Sequence, residues 1–221
     1  MKSYGNKIYE KNFKNNWGGL YPNEEVIRFF NFVKSRTKKK LIILDIGCGI
    51  GACSWFVAKE GATVTSFDGS PSALKRIKKT FKKFGVKNNI KLIYGDITNP
   101  LSFVHQKYNV LIDSYSLYSN KKIYFEKSIK EYYDILNDNG FFINCCFGKK
   151  TTGFIKGNKQ NLNECIVKHG KLMNGGLQSF FNKSELNVIF KKAGFNLLFY
   201  ENIVETKDNE ILEKHITYLT K

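Results

Sequence analysis

Arginine is scarce in this chain. Of its 36 basic residues only three are arginines, although the formal net charge is +17 at pH 7. A surface that reads phosphates or bases prefers the guanidinium group, which can bind two oxygens at once. The lysines are scattered, with local clusters at 38–40 and 75–83. The composition therefore favours a solvated basic surface, while the net charge leaves nucleic acid open as a partner.

The sequence also lacks CxxC pairs, a histidine cluster and long apolar runs. Residues 1–20 have no apolar core of a signal peptide, and no run reaches the length of a membrane span. We therefore expect a cytoplasmic protein without a membrane segment and without a metal site. The odd set of cysteines is expected to be reduced and buried: Cys48, Cys53, Cys145, Cys146 and Cys165.

From Leu41 onward, short apolar runs alternate with helical patterns, which is typical of a parallel sheet built from strand–helix–strand units. The most regular helix pattern follows Ser70, has Pro71 at its first position and ends at Gly85. We predict an α/β fold in which a seven-stranded, mostly parallel sheet carries helices on both faces. The predicted strands are 41–45, 63–67, 90–94, 110–112, 141–145, 196–200 and 216–219.

A chain of 221 residues is most simply one domain. We divide it into an N-terminal helical cover (1–40), a ligand-binding core (41–147), a lid (148–182) and a C-terminal helix with two strands (183–221). The lid is predicted because 148–178 is rich in Gly, Asn and Lys, shows no clean period and follows the fifth strand.

A glycine-rich segment, DIGCGIG, follows the first strand. Open sheets of this kind bind ligands where the first strand enters the first helix. We expect Gly47, Gly49 and Gly51 to let the backbone pass close to a ligand. The spacing also fits the dinucleotide pattern G-x-G-x-x-G/A, which leaves NAD open. However, Asp45 would repel a nearby pyrophosphate and suits a ligand with a positive amine.

Three later strands also end on aspartate. Asp68 is placed to accept hydrogen bonds from ribose hydroxyls. Asp96 is placed to accept one from an adenine amine, while Ile97 packs on the ring. Asp113 ends the fourth strand. Any one of these acids could be a simple cap or turn residue, but together they indicate a nucleoside site.

Four segments of the chain, taken in order, resemble the motifs of class I S-adenosylmethionine-dependent methyltransferases. They are residues 45–51, 68–71, 95–97 and 113–114. The resemblance implies S-adenosylmethionine as cofactor and a Rossmann-like sheet whose last strand is antiparallel and enters beside the fifth. It also implies that Asp113 lies where the methyl leaves. The expected cofactor-binding residues are Trp17, Asp45, Gly47, Cys48, Gly49, Gly51, Asp68, Gly69, Asp96, Ile97, Asp113 and Ser114.

Catalytic candidates follow from the chemistry of methyl transfer. The reaction is an in-line displacement, so the enzyme aligns the reactants and excludes water, and a hydroxyl acceptor must also lose its proton. Tyr115 and Tyr118 follow the fourth strand, and either could orient or deprotonate an acceptor or form an aromatic wall. We place Tyr118 first.

His169 is the second catalytic candidate, because it lies in the predicted lid. We expect His105 at the opposite end of the sheet and His215 far from the glycine loop. The N-terminal aromatics are expected either to close over the cofactor and shape the acceptor pocket or simply to pack as an added helix. They are Tyr4, Tyr9, Phe13 and Trp17.

The sequence therefore predicts a methyltransferase that acts on a hydroxyl or amine of a small metabolite, such as a sugar or natural product. Three alternatives stay open. The chain could methylate RNA or protein, which the net charge favours. It could bind S-adenosylmethionine without catalysis, or it could be an NAD-dependent oxidoreductase.

Overall fold

The structure is a computed structural model that describes residues 7–86, 89–173 and 175–221. Its helices are α1 Lys7–Lys14, α2 Glu24–Arg36, α3 Ala52–Lys59, α4 Pro71–Lys83, α5 Lys122–Ile135, α6 Thr152–Ile155 and α7 Lys183–Ala193. Its strands are β1 Ile42–Ile46, β2 Thr63–Asp68, β3 Ile90–Tyr94, β4 Tyr108–Ser114, β5 Leu136–Phe147, β6 Asn158–Lys159, β7 Glu164–Ile166, β8 Leu177–Ser179, β9 Asn196–Lys207 and β10 Glu210–Thr220.

Seven strands form the main sheet in the order β3-β2-β1-β4-β5-β10-β9. The first five strands are parallel, whereas β10 lies beside β5 and runs antiparallel to both β5 and β9. The predicted fold class, including the position of the last strand, is confirmed. Ile46 pairs with Asp113 and Asp68 with Tyr94, so the carboxyl ends of β1 to β4 meet at one edge.

Side chains alternate across the sheet and bury both of its faces. Leu44 and Leu111 pack in a cluster with side chains of α5 and α7, while Ile43 and Val110 pack with side chains of α2 and α3. Strands covered on both faces read as continuous apolar runs, which is the pattern that the sequence shows.

The start of α4 and the two ends of α7 illustrate how local signals determine where helices begin and end. The Ser70 hydroxyl accepts a hydrogen bond from the Ala73 amide at 3.1 Å, and Pro71 is the first helical residue. At the last helix, Asn182 and Glu185 form a reciprocal capping box, and Gly194 ends the helix with φ of 105°. These caps satisfy backbone groups that helix ends leave without partners.

The C-terminal strands are longer than predicted. β9 and β10 form a hairpin, and its turn residues Asp208 and Asn209 have φ of 54° and 59°, which suits a two-residue turn. β9 is an outer strand rich in polar residues, so its apolar run covers only part of its length. The start of β5 is irregular: its pairing with β4 passes from Leu136 to Phe141, and Asn139 between them has φ of 60°.

The described residues of 148–178, which show no clean period in sequence, include regular secondary structure. They contain α6 and a small antiparallel sheet in the order β6-β7-β8. Cys165 and Phe154 pack into the larger core. Strands of two or three residues are too short to show a period, so sequence patterns did not reveal them. The role of the segment as a lid stays a prediction.

Candidate active site

A cavity of about 490 Å³ lies at the carboxyl ends of the parallel strands. Ten of the predicted cofactor-binding residues line it: Trp17, Asp45, Gly47, Cys48, Gly49, Asp68, Gly69, Asp96, Ile97 and Ser114. Gly51 and Asp113 do not line it. A ligand pocket of a few hundred Å³ is typical of small-molecule sites.

The strand order divides the cavity into two chemically different halves. Asp45 near the end of β1, Asp68 at the end of β2 and Asp96 just after β3 form an acidic half. Residues of β4, β5 and β10 and of the turn after β4 form an aromatic and apolar half on the other side of β1. Its members include Tyr115, Tyr118, Phe147 and Leu212.

The backbone conformation and the close packing of the loop require its glycines. Gly47, Gly49 and Gly51 have φ of 63°, 53° and 87°. A Cβ on Gly47 would lie 2.3 Å from the Ser116 hydroxyl oxygen. A Cβ on Gly51 would lie 2.4 Å from Ile77 of α4. We expected glycine at these positions so that the backbone could pass close to a ligand. The left-handed backbone and the close packing instead explain why Gly51 must be glycine, and they explain Gly47 in part.

Asp68 is 8% exposed and holds the glycine loop in place. Its carboxylate accepts hydrogen bonds from the amides of Gly49 at 2.8 Å and Ser70 at 2.7 Å. Burial raises the pKa of Asp68 to about 6, with backbone hydrogen bonds opposing the shift. A carboxylate has about four lone-pair positions. The remaining positions are suited to ribose hydroxyls.

Asp45 is 2% exposed and accepts a hydrogen bond from the Ser54 hydroxyl. Ser54 in turn lies 2.7 Å from the hydroxyl of Ser66. Burial raises the pKa of Asp45 to about 7, and the charge of Asp68 adds to the shift. A positive amine bound here would favour the ionised carboxylate. The environment therefore fits the amino group of an amino-acid ligand.

Asp96 and Ile97 complete the acidic half. One oxygen of Asp96 accepts hydrogen bonds from both the amide and the hydroxyl of Thr98, each at 2.8 Å. These bonds fix the carboxylate at the cavity wall beside the partly buried Ile97. A hydrogen-bond acceptor next to an apolar side chain suits the amine and the face of an adenine ring.

Asp113 is a correction to the predicted site. It is fully buried, and one carboxylate oxygen accepts hydrogen bonds from the amides of Ser116 at 2.9 Å and Leu117 at 3.2 Å. The other oxygen accepts one from Asn144 at 2.6 Å. Asp113 therefore caps the turn that carries Tyr115 and does not line the cavity.

Of the two catalytic candidates, Tyr118 and His169, only Tyr118 lines the cavity. Its hydroxyl lies 3.5 Å from that of Tyr9. Burial raises the pKa of Tyr118 well above its ordinary value, so the geometry suits a hydrogen-bonding wall better than a proton-accepting phenolate. His169 is exposed and absent from the cavity wall.

The remaining histidines lie outside the cavity lining. His105 is exposed, as expected. His215 is buried, with Nε2 3.0 Å from the Phe181 carbonyl, to which it donates, and Nδ1 2.7 Å from the Tyr200 hydroxyl. Burial lowers the pKa of His215, which favours the neutral ring. Both contacts give His215 a structural role.

The N-terminal helix α1 and the residues after it contribute aromatic side chains to the cavity wall. Tyr9, Phe13 and Trp17 line the wall, while Tyr4 lies outside the described residues. Rings of Tyr9 and Phe13 meet Trp17 edge to face, with centroids 5.6 and 5.2 Å apart. The ring of Phe13 would also lie 3.2 Å from a Cβ on Gly49.

Two contacts that sequence reasoning missed hold this helix onto α4. The Glu10 carboxylate accepts hydrogen bonds from the hydroxyl and amide of Ser72 at 2.6 and 3.2 Å, at the N-terminus of α4. Arg76 donates to the carbonyls of Phe13 at 3.0 Å and Asn16 at 3.3 Å. The partners are about 60 residues apart in sequence, so no local pattern marks them.

The fold and the site together define a class I methyltransferase architecture. Residues 37–199 match the profile of a family described as a methyltransferase domain. This range covers most of the chain, so the chain belongs to that methyltransferase family. The predicted family and the predicted cofactor, S-adenosylmethionine, are confirmed.

Individual relatives agree with this assignment. Sterol 4-C-methyltransferase strm-1 from Caenorhabditis elegans is 28% identical over 167 residues, which are 75% of this chain and 48% of that protein. The chain spans less than half the length of the curated relatives that it matches.

Two solved structures share the fold. The CcbJ methyltransferase from Streptomyces caelestis is 16% identical with a TM-score of 0.69, and the alignment covers 99% of this chain and 98% of that one. A Burkholderia thailandensis 1,6-didemethyltoxoflavin-N1-methyltransferase, solved with that compound and S-adenosylhomocysteine, is 11% identical with a TM-score of 0.68 and coverages of 97% and 88%. Likeness at this identity shows the fold alone.

The described part of the chain has neither a membrane-spanning helix nor a metal-binding cluster. Within it, no helix is long and apolar enough to span a bilayer. No three His, Cys, Asp or Glu side chains of these residues are grouped so that they could hold a metal ion. The described cysteines are free and buried.

Proposed function

We propose that this protein transfers a methyl group from S-adenosylmethionine to a hydroxyl or amine of a small metabolite. One observation carries the proposal: a single cavity joins an acidic half, suited to a nucleoside with an amino-acid tail, to an aromatic half suited to an acceptor. The two halves meet at the glycine loop and Ser114, where β1 and β4 end side by side.

The acidic half supplies the contacts that the donor needs. Asp68 would bind the ribose hydroxyls, and Asp96 with Ile97 would bind adenine. Asp45 and the loop at Gly47 would hold the amino-acid end. When bound, S-adenosylmethionine supplies a methyl group on a positively charged sulfur, which needs no metal or further cofactor. The chemistry of this half suits the donor, because a buried acid favours a cationic ligand.

The aromatic half would position the acceptor and exclude water. Tyr118 and Phe147 meet edge to face with centroids 4.8 Å apart, and Leu172 and Leu212 add apolar surface. Holding two reactants in line is the main contribution that an enzyme makes to such a displacement. The small-molecule acceptor named for the Burkholderia relative supports the same class of substrate here.

The net charge favours a second candidate, methylation of RNA or protein. Several exposed lysines lie along α4, next to the helix that covers the cavity: Lys75, Lys78, Lys79, Lys82 and Lys83. A polyanion bound there would lie beside the helix that covers the cavity. Such binding would weaken steeply with salt.

A methyl-transfer assay distinguishes the two candidates. The protein is incubated with S-adenosylmethionine carrying a labelled methyl group and with matched small-molecule, RNA and protein fractions of a cell extract. We expect label in the small-molecule fraction and formation of S-adenosylhomocysteine. Label confined to RNA or protein would support the second candidate. Calorimetry that detects NAD binding without S-adenosylhomocysteine binding would overturn both.

A further inference from the structure

The wall of the aromatic half contains a strained tyrosine. Tyr115 directly follows β4 and has φ of 59°, a left-handed conformation that a bulky residue rarely adopts. Such strain persists only where surrounding contacts determine the conformation. Strained residues of this kind concentrate at ligand sites, and Tyr115 lines the cavity.

Two contacts hold Tyr115 in this position. Its ring stacks on Phe147, with centroids 4.8 Å apart and planes 21° apart. Its hydroxyl lies 3.1 Å from Oε1 of Glu25, a residue that is 5% exposed. The turn that carries Tyr115 is itself capped by Asp113. The ring and its oxygen therefore have a defined place in the wall.

Glu25 also determines the direction of the Tyr115 hydroxyl hydrogen. The ammonium group of Lys214 lies 3.5 Å from Oε1 of Glu25 and also pairs with Glu205. An ionised carboxylate paired with a lysine can only accept hydrogen bonds, so Tyr115 must donate to it. The Tyr115 oxygen then retains only lone pairs, so any further partner of this oxygen must be a group that donates.

We propose that Tyr115 selects the acceptor: a planar aromatic molecule whose hydroxyl or amine donates a hydrogen bond to the Tyr115 oxygen. The inference rests on the proposed function and names its substrate class. The flat ring fits the aromatic wall of Tyr115, Tyr118 and Phe147, because offset and edge-to-face ring contacts favour planar partners. Leu172 and Leu212 extend the same apolar wall.

The arrangement also discriminates substrate from product. When a hydroxyl is methylated, its hydrogen is replaced by the methyl group and a proton is released to water. The product ether cannot donate to Tyr115, so it loses a hydrogen bond that the substrate made. A site that binds a donor group disfavours an analogue without that group, since its polar atom is then left unpaired.

A pair of probes tests this directly. 4-Nitrophenol and 4-nitroanisole share a planar ring, but only the phenol can donate. Their dissociation constants are measured by calorimetry at a pH where the phenol is protonated, with and without saturating S-adenosylhomocysteine. We expect the wild-type protein to bind the phenol about three- to tenfold more tightly than the ether.

The variants isolate the oxygen from the ring. Tyr115→Phe keeps the stacked ring, so it should bind the ether normally and lose the preference for the phenol. Glu25→Gln should reduce the preference, because its amide can donate to Tyr115 and occupy the lone pair. Tyr124→Phe, an exposed position on α5, is the matched control and should keep the preference.

Each outcome decides the inference. Absence of phenol binding, equal affinity for both probes in the wild type, or an unchanged preference in Tyr115→Phe would overturn it. The S-adenosylhomocysteine titration on the same samples separates this failure from that of the proposed function. If the product of the donor binds and the phenol preference is absent, only the substrate class is wrong.

Discussion

The Asp68 carboxylate lies 2.8 Å from the amide nitrogen of Gly49, so the end of the second strand directly holds the glycine loop that follows the first. The same side chain accepts a hydrogen bond from Ser70 at the start of α4. Asp68 thus has two functions: it shapes the loop, and it is the proposed ribose ligand.

Asp68→Ala should weaken binding of S-adenosylhomocysteine by about 1–3 kcal/mol, roughly ten- to a hundredfold, because a buried hydrogen-bonding partner is lost. Calorimetry measures the affinity, and circular dichroism checks the fold. Asp134→Ala, at an exposed position on α5, is the control. Unchanged affinity in Asp68→Ala would reject the ribose role.

Asp113→Ala should lower the free energy of unfolding by about 1–3 kcal/mol, since Asn144 and two backbone amides lose their buried acceptor. Denaturant unfolding measures this. The folded variant should still bind S-adenosylhomocysteine, because Asp113 does not line the cavity. Full stability combined with lost binding would show that Asp113 contacts the donor after all.

Binding of S-adenosylhomocysteine should strengthen as pH rises from about 5.5 to about 8. The pKa of Asp45 is raised to about 7, so the carboxyl is mainly neutral below that pH and cannot pair with the ligand's ammonium. Calorimetric titrations with S-adenosylhomocysteine across this range should show the increase. In Asp45→Asn the increase should be smaller, whereas an identical pH profile would contradict the proposed amine contact.

The same raised pKa values have the opposite effect on the stability of the unliganded protein. Between about pH 4 and 7 the folded protein binds protons at Asp45 and Asp68 that the unfolded chain has released. The contribution of these two groups to the free energy of unfolding therefore falls as pH rises through this window. Comparing denaturant unfolding of wild type and Asp45→Asn across that window isolates the Asp45 share.

Arg76→Ala should loosen the N-terminal helix from α4. The guanidinium group of Arg76, on α4, donates hydrogen bonds to the carbonyls of Phe13 and Asn16 at the end of α1. Arg76 is the only arginine of α4, and a lysine could not supply the same pair of donors. We expect faster proteolysis within residues 1–20 and about tenfold weaker S-adenosylhomocysteine binding. Arg36→Ala, where the guanidinium lies over Phe32 at 3.6 Å, is the matched control. Equal proteolysis in both variants would mean that the hydrogen bonds of Arg76 do not hold the N-terminal helix on α4.

Much of the fold could be predicted because its signals are local. The cap at Ser70, the proline after it and the left-handed glycine at Gly194 depend on contacts within a few residues. The succession of strands and helices along the chain followed from the alternation of apolar runs and helical patterns, whereas the position of the last strand followed from the resemblance to the methyltransferase family. The second half of β9 and the small sheet β6-β7-β8 were missed, because a polar stretch of an edge strand and very short strands show little apolar pattern.

The sequence by itself determined that acids follow four successive strands and that a tight glycine turn follows the first. Only the tertiary structure decided which acids face the cavity. Asp68 does, while Asp113 is occupied by Asn144 from the neighbouring strand. Tertiary structure alone also joined Tyr115, Glu25 and Lys214, which come from distant parts of the chain. The physical reason is that caps and turns depend on neighbours in sequence, whereas a binding wall depends on which strands and helices pack together.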